Sequence, residues 1–119
     1  MSDNLTRLQN IVGKQLGIDP IKIKPEKIAI KVANHHLKYL LARPIHKSQK
    51  LISLAKDMDS NELNYSNPDM WGEIEVTLTA NYEFVMEMLK YNQWVEIISP
   101  KSVVDYFKEH LNSIVKYYQ

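Results

Sequence analysis

Hydrophobic positions change period several times along this chain, and each change predicts an element. Leu5, Leu8, Val12 and Leu16 recur at helical spacing behind the polar residues Asp3 and Asn4, with Gly17 where a helix C-terminus favours glycine. A short amphipathic helix is predicted over 4–16. The following IDPIKIKPEK carries two prolines and no helical period, so it reads as an extended connector. In KIAIKVA the alternation of Ile28, Ile30 and Val32 predicts a half-buried strand, and Asn34 then stands as the cap of a helix with Leu37, Leu40 and Leu41 on one side. Pro44 ends that helix because it disfavours helical geometry at Arg43.

KLISLA, with Ile52 and Leu54, restarts as a strand, and the polar span DMDSNELNYSNPDM over 57–70 predicts a long mobile loop. WGEIEVTLT sets Ile74, Val76 and Leu78 on one face and Glu73, Glu75 and Thr77 on the other, the period of a strand open to water on one side. Asn81 caps a helix bearing Phe84, Val85, Met88 and Leu89, and WVEII is a last strand. Ser99 reads as an N-cap with Pro100 at the first helical position, and Val104, Phe107, Leu111, Ile114 and Tyr118 follow at alternating helical steps. From Lys27 onward the order is strand, helix, strand, strand, helix, strand, helix. This predicts an α+β, ferredoxin-like βαββαβ domain with an added C-terminal helix, its four-stranded antiparallel sheet carrying the helices on one face. The division expected is 1–24, an N-terminal helix and connector, and 25–119, the domain.

Composition narrows the classes. At 119 residues, 45% hydrophobic and 24% charged, the chain suits one globular domain rather than a disordered segment. It has no cysteine, which removes disulfides, thiolate metal sites and a cysteine nucleophile, and suits the reducing cytoplasm. Neither a secretory signal nor a run of about 20 apolar residues is present, so export and membrane insertion are not expected. Net charge is +1, but unevenly spread: residues 1–56 hold 11 Lys/Arg against three acidic residues, and 57–119 hold 4 Lys against 11. Such polarity marks either an anionic ligand site or two halves that neutralise each other on folding.

The connector LARPIHKSQKL concentrates the candidate chemistry. Arg43 has a planar donor fork suited to phosphate, Lys47 and Lys50 add point charges, and Ser48 and Gln49 can serve a sugar or base edge. The plainer alternative is that His46, Ser48 and Gln49 bond the backbone of the turn while Arg43 pairs with a carboxylate. His35 and His36 point about 100° apart on a helix and make no zinc pair, so no metal site is expected. The water-facing strand residues Lys27, Ala29, Lys31, Glu73, Glu75 and Thr77 include no aromatic for base stacking, and Lys31 is expected opposite Glu75.

Tyr106, Phe107, Tyr117 and Tyr118 are read as packing on the sheet, with Val103, Phe107 and Ile114 as the alternative contact to a second copy. Trp71 and Trp94 are assigned to packing at strand starts, and Glu83 and Glu87, one helical turn apart, to a solvated face. No GxSxG element, glycine-rich phosphate loop or apolar acidic dyad is present among only three glycines, so no catalytic residue and no cofactor are expected.

Three features together resemble the C-terminal extension of WYL-domain transcription regulators of bacteria. They are the turn Arg43-Pro44-Ile45-His46-Lys47-Ser48-Gln49, the order from Asn81 through a helix and Trp-Val-Glu-Ile to Ser99-Pro100, and a closing helix ending in tyrosine. The resemblance covers about 24–119. It implies a non-enzymatic regulatory module, sensing a ligand or forming a homodimer, beside a WYL barrel and a DNA-binding helix-turn-helix in a longer parent chain. It also implies a nucleotide-like or single-stranded nucleic-acid ligand, for which Arg43, His46, Lys47, Ser48 and Gln49 are the candidate contacts. Neither the barrel nor the helix-turn-helix lies within these 119 residues. The competing expectations are a purely structural oligomerisation domain and an ACT-like domain binding a small metabolite.

Overall fold

The alternation in Glu26–Ala33 becomes strand β1: Ile28, Ile30 and Val32 are fully enclosed while Lys27 and Lys31 are exposed. In the computed structural model, which describes residues 24–60 and 66–119, β1 leads into helix α1 (Asn34–Ala42), strand β2 (Lys50–Ser53) and strand β3 (Trp71–Leu78). Helix α2 (Tyr82–Lys90), strand β4 (Val95–Ser99) and helix α3 (Lys101–Val115) follow. The predicted helix over 4–16, most of the 1–24 segment and residues 61–65 of the long loop lie outside the described residues.

The strands pair antiparallel throughout in the order β2-β3-β1-β4. This is a ferredoxin-like α+β arrangement with an added C-terminal helix. One core joins Ile28, Ile30, Val32, Ile74 and Val76 of the sheet to Leu37 and Leu40 of α1, Phe84 and Met88 of α2, and Val103 of α3. None of the described helices is long and apolar enough to cross a membrane.

Register is set by the core, and it corrects one expectation. Ile28 faces Val76 and Ile30 faces Ile74, which puts Val32 opposite Gly72. Gly72 is needed there: a Cβ on it would lie 2.5 Å from Leu37 Cδ2 and 2.6 Å from the Ser53 carbonyl oxygen. Lys31 therefore stands opposite Glu73 on β3 and Glu96 on β4, and Lys50, not Lys31, stands opposite Glu75. Cations of the first half thus interleave with carboxylates of the second across the sheet. Lys38 to Asp59 at 3.0 Å and Lys56 to Asp69 at 3.8 Å also join the two halves. Both pairs are exposed and each contributes about 0–1 kcal/mol.

Several local readings change. Asn34 is not a conventional cap: Ala33 holds that position, and Asn34 is fully buried as the first helical residue. Its Oδ1 accepts from the His35 N–H, while Nδ2 donates to the Asp57 carbonyl at 2.8 Å and the Ser60 carbonyl at 3.4 Å. It ties the start of the long loop to α1. Leu41 is exposed although Leu37 and Leu40 are buried, because only the latter two point at the sheet. β2 stops at Ser53 after an irregularity between Leu51 and Ser53, leaving all four of its residues and Leu54 exposed on the sheet edge.

Pro100, rather than Ser99, holds the cap position of α3, its carbonyl accepting from Val103 and Val104. Asn81 does cap α2, its Oδ1 accepting from the Phe84 N–H at 3.1 Å. Along α3 the packing fades: Val103 is enclosed, Phe107 packs against the core, and every residue from Asn112 onward is exposed. Tyr117 and Tyr118, expected to pack on the sheet, are each 85% exposed.

Candidate functional site

The connector from Arg43 to Gln49 is built from its own side chains. α1 ends with carbonyls that lack helical partners. Gln49 supplies one: its Nε2 donates to the Leu40 carbonyl at 2.9 Å while its Oε1 accepts from the Ile45 N–H at 2.9 Å. The Gln49 N–H donates in turn to the His46 carbonyl at 3.0 Å. Gln49 therefore clamps the turn onto the helix it leaves.

Ser48 fastens the other side. Its Oγ donates to the Thr77 carbonyl at 3.0 Å and accepts from the Thr77 N–H at 2.8 Å. β2 pairs with β3 from Lys50 opposite Glu75, so the Ser48 hydroxyl serves in place of backbone one step further along the same ladder. The Ser48 N–H donates to Nδ1 of His46 at 3.1 Å, and the Ser48 hydroxyl lies 2.7 Å from that nitrogen.

Of the five candidate contacts, the fold brings His46, Ser48 and Gln49 together in this clasp. Arg43 and Lys47 are exposed. Arg43 lies 6.0 Å from the centre of the Tyr39 ring, the outer limit of a cation–π contact, and among the described residues it has no carboxylate partner of the kind the plainer alternative gave it. For the proposed contact to a second copy, Val103 lies inside the core, Phe107 is half-buried against it, and Ile114 faces outward.

Sequence reasoning missed a cavity of about 310 Å³ beside the clasp. Ile45 and His46 of the connector, Thr77 and Leu78 of β3, and Glu83 and Glu87 of α2 line it. Both glutamates are half-buried rather than on the solvated face expected for them. The Tyr91 hydroxyl donates to Glu87 Oε2 at 3.1 Å, and burial, followed by the Glu87 charge and this bond, pushes the phenol up to about 12.

A second cluster surrounds His36. Its ring centre lies 4.8 Å from that of Tyr91, 5.5 Å from Tyr39 and 5.8 Å from Trp94, and Nε2 is buried without a hydrogen-bond partner among the described residues. Burial and then the neighbouring His35 lower the imidazole below its ordinary 6.5. The unfolded chain therefore binds this proton more readily than the folded one, so stability rises with pH across the window just below 6.5 and is lost as pH falls through it. We expect urea midpoints to drop between pH 7 and pH 5.5, by roughly that histidine's share, with His36→Phe flattening the drop. An unchanged pH dependence in His36→Phe would contradict the assignment.

No family model matches the chain. A stretch of 26 residues, 22% of the chain, is 77% identical to an acyl carrier protein of Phaeodactylum tricornutum (strain CCAP 1055/1) and covers 34% of that protein. The match spans about a third of the length of that curated relative, so it shows no family for the chain.

Proposed function

We propose that this chain is a regulatory module of a WYL-type transcription regulator, one that engages an anionic, nucleotide-like ligand and passes its presence to neighbouring domains or to a second copy. The observation that carries this reading is the division of labour in the connector. His46, Ser48 and Gln49 spend their polar atoms holding the turn rigid, while Arg43 and Lys47 are left on the outside of that rigid turn. A cation on a fixed turn loses little order when it meets phosphate, which favours recognition. In this reading the ligand contacts narrow to Arg43 and Lys47, and Ser48 and Gln49 act as positioning residues. DNA reading belongs to domains outside these residues, and the fold is used for binding rather than for catalysis.

The test is a fluorescence anisotropy titration with a short single-stranded oligonucleotide at about 50 and 200 mM salt. Binding is expected at the lower salt, weaker at the higher, and weakened further by Arg43→Ala. Absence of binding, or binding indifferent to Arg43→Ala, overturns the ligand role. A second reading, a protein-interaction module, is favoured by the exposed Ile114, Val115, Tyr117 and Tyr118 at the end of α3. Under it no oligonucleotide binds, and Ile114→Asp lowers the apparent mass in solution.

A further inference from the structure

We propose that the cavity between the connector and α2 binds a small organic cation, an alkylammonium whose charge lies against Glu83 and Glu87 and whose stem lies along Ile45, Leu78 and Phe84. This goes beyond the anionic ligand of the outer face and does not rest on it.

The cavity sets the size of the ligand. At about 310 Å³ it stands at the small end of metabolite pockets, and its lining is mostly apolar. Pro25, Ile45, Leu78 and Phe84 contribute carbon surface, and among the described residues no lysine or arginine lines it. Its charged groups are the two glutamates, one helical turn apart on α2 and so on the same face of that helix. Two like charges at this spacing repel, and a single cation between them removes the repulsion. An anion would add to it.

The helix dipole accounts for only one of the two glutamates. Glu83 sits in the first turn of α2, where a carboxylate suits the helix dipole, but Glu87 lies a turn beyond that influence. Tyr91 occupies one oxygen of Glu87, which fixes the carboxylate and leaves its other oxygen for a ligand. Glu83 forms no ion pair among the described residues. A hard divalent ion would require six or more oxygens, whereas here two carboxylates stand beside carbon surface. An ammonium group on an alkyl stem matches both parts of the lining.

The walls are also held in place beforehand. Ser48 pins Thr77, Gln49 pins Ile45, and the Asn81 side chain fixes the start of α2, so the cavity exists without a ligand to shape it.

The experiment is a two-dimensional amide NMR titration of the full chain with n-butylammonium chloride, and with sodium butyrate as the anionic counterpart. The amine is expected to produce saturable shifts at Thr77, Leu78, Glu83 and Glu87 with a dissociation constant in the millimolar range, and butyrate none. Glu83→Gln is expected to weaken the amine about tenfold while lowering the thermal midpoint by no more than the few degrees that loss of a first-turn carboxylate costs. Arg43→Ala is expected to leave amine binding intact, which separates this site from the oligonucleotide site. The proposal is overturned by no saturation at about 50 mM amine, by equal shifts from butyrate, or by Glu83→Gln binding the amine as the wild type does.

Discussion

Replacing Gly72 by alanine is expected to destabilise the domain by about 2 kcal/mol, the usual cost of forcing a carbon into a filled core. The new Cβ would stand 2.5 Å from Leu37 Cδ2, 2.6 Å from the Ser53 carbonyl oxygen and 3.0 Å from the Ala55 nitrogen. Leu37 is fully enclosed and cannot simply swing away, and the other two atoms are backbone of β2 and the residues after it. Something larger than a side chain must shift, either α1 lifting from the sheet or β2 parting from β3. For a domain of this size the thermal midpoint should fall by roughly 8–16 °C. In a Leu37→Ala background the added penalty of Gly72→Ala should shrink without vanishing, because the Ser53 carbonyl remains. A thermal midpoint within about 2 °C of wild type would show that α1 and β2 do not close on Gly72 as described.

The same glycine explains what a sequence can and cannot tell about such a sheet. Alternation at Ile28, Ile30 and Val32 and at Ile74, Val76 and Leu78 identifies β1 and β3 and their inward faces, because the side-chain period of a strand is two. That period says nothing about register: sliding β3 by two residues keeps every face and changes every partner. Lys31 was therefore expected opposite Glu75 and stands opposite Glu73, the pairing that brings Gly72 beneath Leu37. Ile52 likewise marks β2 as a strand without telling that it lies at the edge of the sheet, where all its residues are exposed.

In the candidate site, residue types were legible and their directions were not. The connector stood out because Arg43, His46, Ser48 and Gln49 are costly choices for a simple turn, and both a ligand grip and backbone bonding accounted for them. The decision depends on Thr77, 29 residues from Ser48, and on Leu40, which a local reading does not bring close. Asn34 follows the same logic: next to a helix start it reads as a cap, whereas its amide bonds carbonyls 23 and 26 residues away. Glu83 and Glu87 looked solvated because they lie off the apolar stripe of α2. The connector folding over that flank makes the cavity they line.

Ser48→Ala and Gln49→Ala should each lower stability by about 1–3 kcal/mol, because each strands buried or half-buried backbone groups rather than merely deleting a contact. Alanine at 48 leaves both the N–H and the carbonyl of Thr77 without their partner at the end of β3. Alanine at 49 frees the Ile45 N–H and the last-turn carbonyl of Leu40 together, loosening the turn from α1. Arg43→Ala removes only an exposed side chain beside an exposed ring, and should change stability by less than about 0.5 kcal/mol. Urea unfolding of these three variants beside the wild type tests most directly whether the connector is a clasp with its cations turned outward. The account predicts early midpoints for Ser48→Ala and Gln49→Ala and a wild-type midpoint for Arg43→Ala; the reverse order, or three coincident curves, would contradict it.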